Sequence, residues 1–131
     1  LRTRRIGPYT LQAAIAAIHS EAPSAEHTDW QEICGLYNLL LQADPSPVVA
    51  LNRAVAIAMR DGPAAGLALI SELELQGELN QYHLLYAAKA DLLRQLGLKI
   101  EALNAYQQAL DHCKQAPEQR FLQQQIAALQ G

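Results

Sequence analysis

The sequence predicts an all-α chain. Half of its 131 residues are hydrophobic, and Ala and Leu, which lose little on entering a helix, dominate that half over β-branched residues. Apolar residues recur three and four positions apart, as in Leu11, Ile15 and Ile18 or Leu122, Ile126 and Leu129. The one Asp-Gly pair, Asp61-Gly62, follows a helical run instead of joining two alternating strands.

About seven helices follow in order. Pro8 suits a first helical turn, and Leu11, Ile15 and Ile18 share a face behind it. Asp29 is a good N-cap for a second helix carrying Trp30, Ile33, Tyr37, Leu40 and Leu41. Glu32 stands three residues on, as in a capping box, and Asp44-Pro45 ends the run. Ser46-Pro47 starts a third helix that Asp61-Gly62 closes. Pro63 begins a fourth, through Leu67, Ile70 and Leu73 to Gly77. The fifth is expected from about Leu79 to Leu96, stopped by Gly97; the sixth from about Lys99 to Gln115; and the seventh from Pro117.

Gly62 and Gly97 stand 35 residues apart (97 − 62), each between two helices. Such a period marks arrays of helical hairpins, and the tetratricopeptide repeat has one of about 34. Ala102, Tyr106 and Ala109 followed by Pro117 resemble the second half of that repeat; Gly66 and Ile70 are looser counterparts. The pairing is then first with second, third with fourth and fifth with sixth, the seventh acting as a cap. The expected architecture is a tetratricopeptide-like right-handed stack of about three hairpins. Trp30-x2-Ile33-Cys34-x2-Tyr37 resembles a first-helix signature but is out of phase with this pairing.

Composition narrows the function. No run reaches the roughly 18–20 uninterrupted apolar residues of a membrane span, and LRTRRIGPY lacks a signal-peptide core. Cys34 and Cys113 are isolated, as expected of a reduced, cytoplasmic setting. Net charge is −3; without Arg2, Arg4 and Arg5 it is 7 − 13 = −6. So acidic a body disfavours unaided nucleic-acid binding. A start at Leu1 without Met reads as part of a longer chain, with residues 1–6 ending a linker and 7–131 forming one helical domain.

SPVVALNRAVAIAMRDG, residues 46–62, is apolar from Val48 to Met59 apart from Asn52 and Arg53. In a hairpin array the first helix of a pair lines the concave face and is sandwiched by neighbours, so most of its sides are apolar. Counting from Gly62, Asn52, Met59 and Arg60 face a groove with Arg53 beside them; the fifth helix offers Leu84, Ala87, Asp91 and Arg94. These groups suit a peptide backbone or carboxylate. Alternatively the polar pair is an internal tether, for instance Arg53 to Asp91, fixing helix register. Tyr82 and His83 at the start of the fifth helix either join the groove or simply pack. His112 and Cys113 diverge by roughly 100° on a helix, and no spacing gathers the three or four ligands of a zinc site. No nucleophile elbow or phosphate loop occurs. No catalytic residue, metal or cofactor is expected.

GPYTLQAAIAAIHSEA, TDWQEICGLYNLLL, SPVVALNRAVAIAMRDGPAAGLALI and YHLLYAAKADLLRQLG with EALNAYQQAL resemble the carboxy-terminal extension of one group of extracytoplasmic-function (ECF) RNA polymerase sigma factors. The resemblance covers nearly everything from Gly7 onward. It implies a parent protein directing promoter-specific initiation, with DNA contacted only by amino-terminal sigma regions that this chain lacks. For the chain itself it implies a regulatory, protein-binding role, with its own sigma regions, core polymerase or a regulatory protein as partner. A stand-alone scaffold and a small-molecule sensor are the other readings of the same groove.

Overall fold

The computed structural model describes residues 29–131. The expected linker at 1–6 and the expected helix behind Pro8 lie outside the described residues. Six helices follow: α1 (Trp30–Ala43), α2 (Pro47–Asp61), α3 (Pro63–Gln76), α4 (His83–Gln95), α5 (Lys99–His112) and α6 (Ala116–Gln130).

Their ends are set by short-range chemistry. Asp29 Oδ1 accepts the Glu32 N–H at 3.0 Å to open α1, and Ser46 Oγ accepts the Val48 N–H at 3.2 Å ahead of Pro47 in α2. Gly77 closes α3 at φ 83°. Behind α4, Gly97 at φ 79° lets its own N–H reach the Arg94 carbonyl and the Leu98 N–H reach Leu93, each at 3.0 Å. That is a Schellman ending, and it needs a left-handed residue.

Two boundaries differ from the sequence expectation by three residues or more, and the end of α4 (Gln95) and the start of α6 (Ala116) each differ by one. α4 begins at His83 rather than Leu79. Residues 78–81 form a turn in which the Tyr82 N–H bonds the Leu79 carbonyl at 2.9 Å and Tyr86 Oη donates to the Asn80 carbonyl at 2.7 Å. Leu79 is buried from that turn, so it mimics the helix period without being helical. α5 ends at His112 rather than Gln115. Cys113 is extended, and its carbonyl accepts from Gln119 Nε2 at 2.8 Å instead of from a next helical turn.

The helices form a packed stack in which each meets the next in sequence, and α2 also touches α4. α2/α3 and α4/α5 are the most intimate pairs. Small residues permit this closeness: Ala54 and Ala58 of α2 lie directly beneath Gly66 of α3. Between the pairs, Lys89 Nζ of α4 contacts Glu74 Oε1 of α3 at 2.8 Å. No helix among the described residues is long and apolar enough to cross a membrane.

The core has two parts. Leu51, Ala54 and Ala58 of α2 join a larger cluster built mainly by α3, α4 and α5. Val49, Ala56 and Ile57 of the same helix join a smaller cluster with α1. α2 is therefore buried on two sides, which accounts for its apolar length.

Candidate functional site

α2 keeps a third side, and it is exposed. Val48, Asn52, Val55 and Met59 recur at helical spacing along it; the three hydrophobic members are 36–42% exposed. Apolar side chains exposed along one line of a helix make this face a candidate interaction surface.

Beside this stripe lies a groove of about 370 Å³. From α2 it takes Leu51, Asn52 and Val55, and from α4 Leu84, Ala87, Ala88 and Asp91. Tyr106 of α5, 2% exposed, forms its floor, and Phe121 of α6, 54% exposed, stands at its rim. Asp91 is oriented by Arg94 Nη2 at 2.6 Å and Gln95 Nε2 at 2.9 Å. Burial pushes the Tyr106 phenol above its ordinary pKa, against the lowering influence of a hydrogen bond with Arg94. Arg94 in turn is raised by its bonds to Asp91 and Tyr106. The groove thus offers apolar walls with one amide and one braced carboxylate.

The residues singled out in the sequence divide. Asn52, Leu84, Ala87 and Asp91 come together in the groove, with Arg94 bracing it from outside the lining. Arg53 does not join Asn52. Adjacent helical positions point about 100° apart, and Arg53 turns to a smaller crevice of about 190 Å³ with Glu72 and Gln76. Its Nε donates to Asn38 Oδ1 of α1 at 2.5 Å. The tether exists, but it runs to α1 and not to Asp91. Arg60 closes on its neighbour Asp61 at 2.8 Å on the surface, which holds the Asp61 carboxyl below its usual range. It also lies near Cys34, whose thiol is raised by burial.

Tyr82 packs on the edge of the larger core. His83 stays away from the groove and meets Glu118. That side of the fold gathers His83, Cys113 and Glu118, a cluster without any signal in the spacing, because its members start or follow three different helices. Phe121 and Tyr106 were also missed as groove residues. Phe121 had a signal: it falls outside the Leu122, Ile126 and Leu129 stripe that α6 turns inward.

No protein-family model matches the chain. It is similar to an uncharacterized protein, R00370, of Rhizobium meliloti (strain 1021), 45% identical over 127 residues. The match takes in 96% of this chain and 29% of that protein. The chain therefore spans less than a third of the length of this relative.

Proposed function

We propose that the chain is a protein-binding regulatory module of an ECF sigma factor, acting in the cytoplasm as one part of a longer polypeptide that directs promoter-specific initiation. Its role is recognition, not catalysis. The architecture is read as a right-handed tetratricopeptide-like stack, with α2/α3 and α4/α5 as successive hairpins and α6 as the cap.

One observation carries the binding role: the exposed Val48–Asn52–Val55–Met59 stripe continuing into the groove with Asp91. The assignment to a sigma factor rests on the resemblance of the sequence strings. The occupant we assign is a helical segment of the polypeptide's own sigma regions. Most of the Rhizobium relative lies outside the matched segment, which leaves ample chain for such a partner. Domains that read DNA present basic surfaces, and this chain carries 13 acidic against 10 basic side chains. An amphipathic helix laid in a groove supplies apolar anchors for Val55 and Leu84 and a cation for Asp91.

The test is transcription from the parent protein's promoter, with full-length protein, with protein truncated before Ile6, and with full-length Val55→Asp. A change in promoter output on truncation, reproduced by Val55→Asp, supports the reading. Binding of the isolated module to purified sigma regions, lost in Val55→Asp, identifies the occupant; binding only to core polymerase reassigns it. Unchanged output in both variants overturns the proposal.

The groove's volume also falls within the range of small-molecule pockets, roughly 300–1,000 Å³. A ligand that raises the unfolding midpoint, with loss of that effect in Ala87→Trp, favours a sensor instead.

A further inference from the structure

Three side chains with metal-binding atoms converge at one end of the stack. α4 and α6 begin there, and α5, running back between them, ends there. His83 opens α4, Cys113 follows α5, and Glu118 sits in the first turn of α6. Their ligand atoms all lie within 4.8 Å of one another.

One of the three atoms lacks a hydrogen-bond partner, and the other two lie against it or each other. His83 Nε2 is shut off from solvent and makes no hydrogen bond. Glu118 Oε2 is in close contact with it, but the two make no hydrogen bond. The same oxygen is 3.9 Å from Cys113 Sγ, and Sγ is 3.6 Å from the Gln115 carbonyl oxygen. Tetrahedral zinc, with bonds of about 2.0–2.3 Å, sets its donors roughly 3.3–3.8 Å apart. The Cys113–Glu118 separation is already near that spacing, whereas Glu118 lies closer to His83 and must draw back as an ion enters, a shift open to a side chain about half exposed. The Gln119 amide holds the Cys113 carbonyl at 2.8 Å, fixing the backbone that carries the thiol.

We propose that His83 Nε2, Cys113 Sγ and Glu118 Oε2 form a binding site for a divalent metal ion of the zinc class. A thiol and an imidazole select such an ion over calcium or magnesium, which take oxygen donors. The Gln115 carbonyl or a water completes four-coordination. Binding joins α6 to the α4/α5 hairpin, and Phe121 stands one turn beyond Glu118 on the same helix. The site therefore braces the groove rim as well. It does not depend on the function proposed above.

The experiment is titration of the reduced, tag-free chain with Co2+ as a spectroscopic probe, followed by displacement with Zn2+. One equivalent should bind with a thiolate-to-cobalt charge-transfer absorption, and Zn2+ should raise the unfolding midpoint. Cys113→Ser should abolish the absorption and Cys34→Ser should keep it. His83→Gln and Glu118→Gln should each weaken binding by at least about tenfold, since even outer-shell partners cost 10–100-fold. Should Cys113→Ser fail to fold by circular dichroism, the half-exposed Glu118→Gln decides. Absence of stoichiometric uptake, or uptake unaltered in folded Glu118→Gln and His83→Gln, overturns the site.

Discussion

Arg53 donates to Asn38 at 2.5 Å and so fastens α2 to α1 across the smaller core. The contact is charge-assisted, but Asn38 is exposed, so water competes for both partners. A double-mutant cycle with Arg53→Ala and Asn38→Ala should give a coupling of about 0.5–1 kcal/mol in urea unfolding. The same cycle between Arg53 and Asp91 should give none. A coupling to Asp91 would contradict the observed tether.

Two glycines within helices should respond oppositely to Ala. A Cβ on Gly66 meets Ala58 Cβ at 2.4 Å and the Ala54 carbonyl oxygen at 2.8 Å. Gly66→Ala gains up to about 1 kcal/mol of helix propensity but forces α2 and α3 apart, and overpacking costs typically 1–3 kcal/mol. Net destabilisation is expected from its denaturation midpoint. At Gly35, on the exposed side of α1, nothing lies within 4 Å of the added carbon. Gly35→Ala should stabilise by about 0.5–1 kcal/mol.

The faces of α2 should separate stability from binding. Leu51 is 2% exposed, and Leu51→Ala should cost about 2–5 kcal/mol. Val55, four residues on and 36% exposed, should tolerate Asp with a change within about 0.5 kcal/mol. Equilibrium unfolding of both variants checks this, and a large loss in Val55→Asp would place the stripe in the core.

Alkaline pH should weaken the fold. Burial raises the pKa of Cys34, Tyr37 and Tyr106, so the folded state holds these protons more tightly than the unfolded chain. Stability from these groups is complete below their ordinary values of 9.0 and 10.0 and declines as pH climbs through and beyond them. The urea midpoint should fall between about pH 9 and pH 11. A flat midpoint across that interval would mean that the thiol and phenols titrate freely.

Much of the fold was legible because helix ends are local. Asp29 with Glu32, Ser46 with Pro47, and the glycines at 62, 77 and 97 act within a few residues of themselves, and five of the six described helices begin within one residue of where such signals or a simple period place them. α4 was misplaced because burial of Leu79 imitates periodicity, which records burial and not backbone hydrogen bonds. The groove was half legible. Asn52 and Asp91 follow from counting along helices, whereas Tyr106 and Phe121 enter through the tertiary stack. The reading of Arg53 as a tether holds in kind but not in partner, and its place beside the groove fails because adjacency in sequence is divergence on a helix. The His83, Cys113 and Glu118 cluster had no local trace, since 30 residues separate the first two (113 − 83).

Among the described residues, the main helix contacts run from each helix to the next, with α2 also touching α4. An architecture of this kind changes size in whole steps. A hairpin inserted or deleted near Gly62 or Gly97 asks only its two neighbours to accommodate a new face, as bricks do in a single column. Duplication of such a unit lengthens the stack without redesigning what already stands.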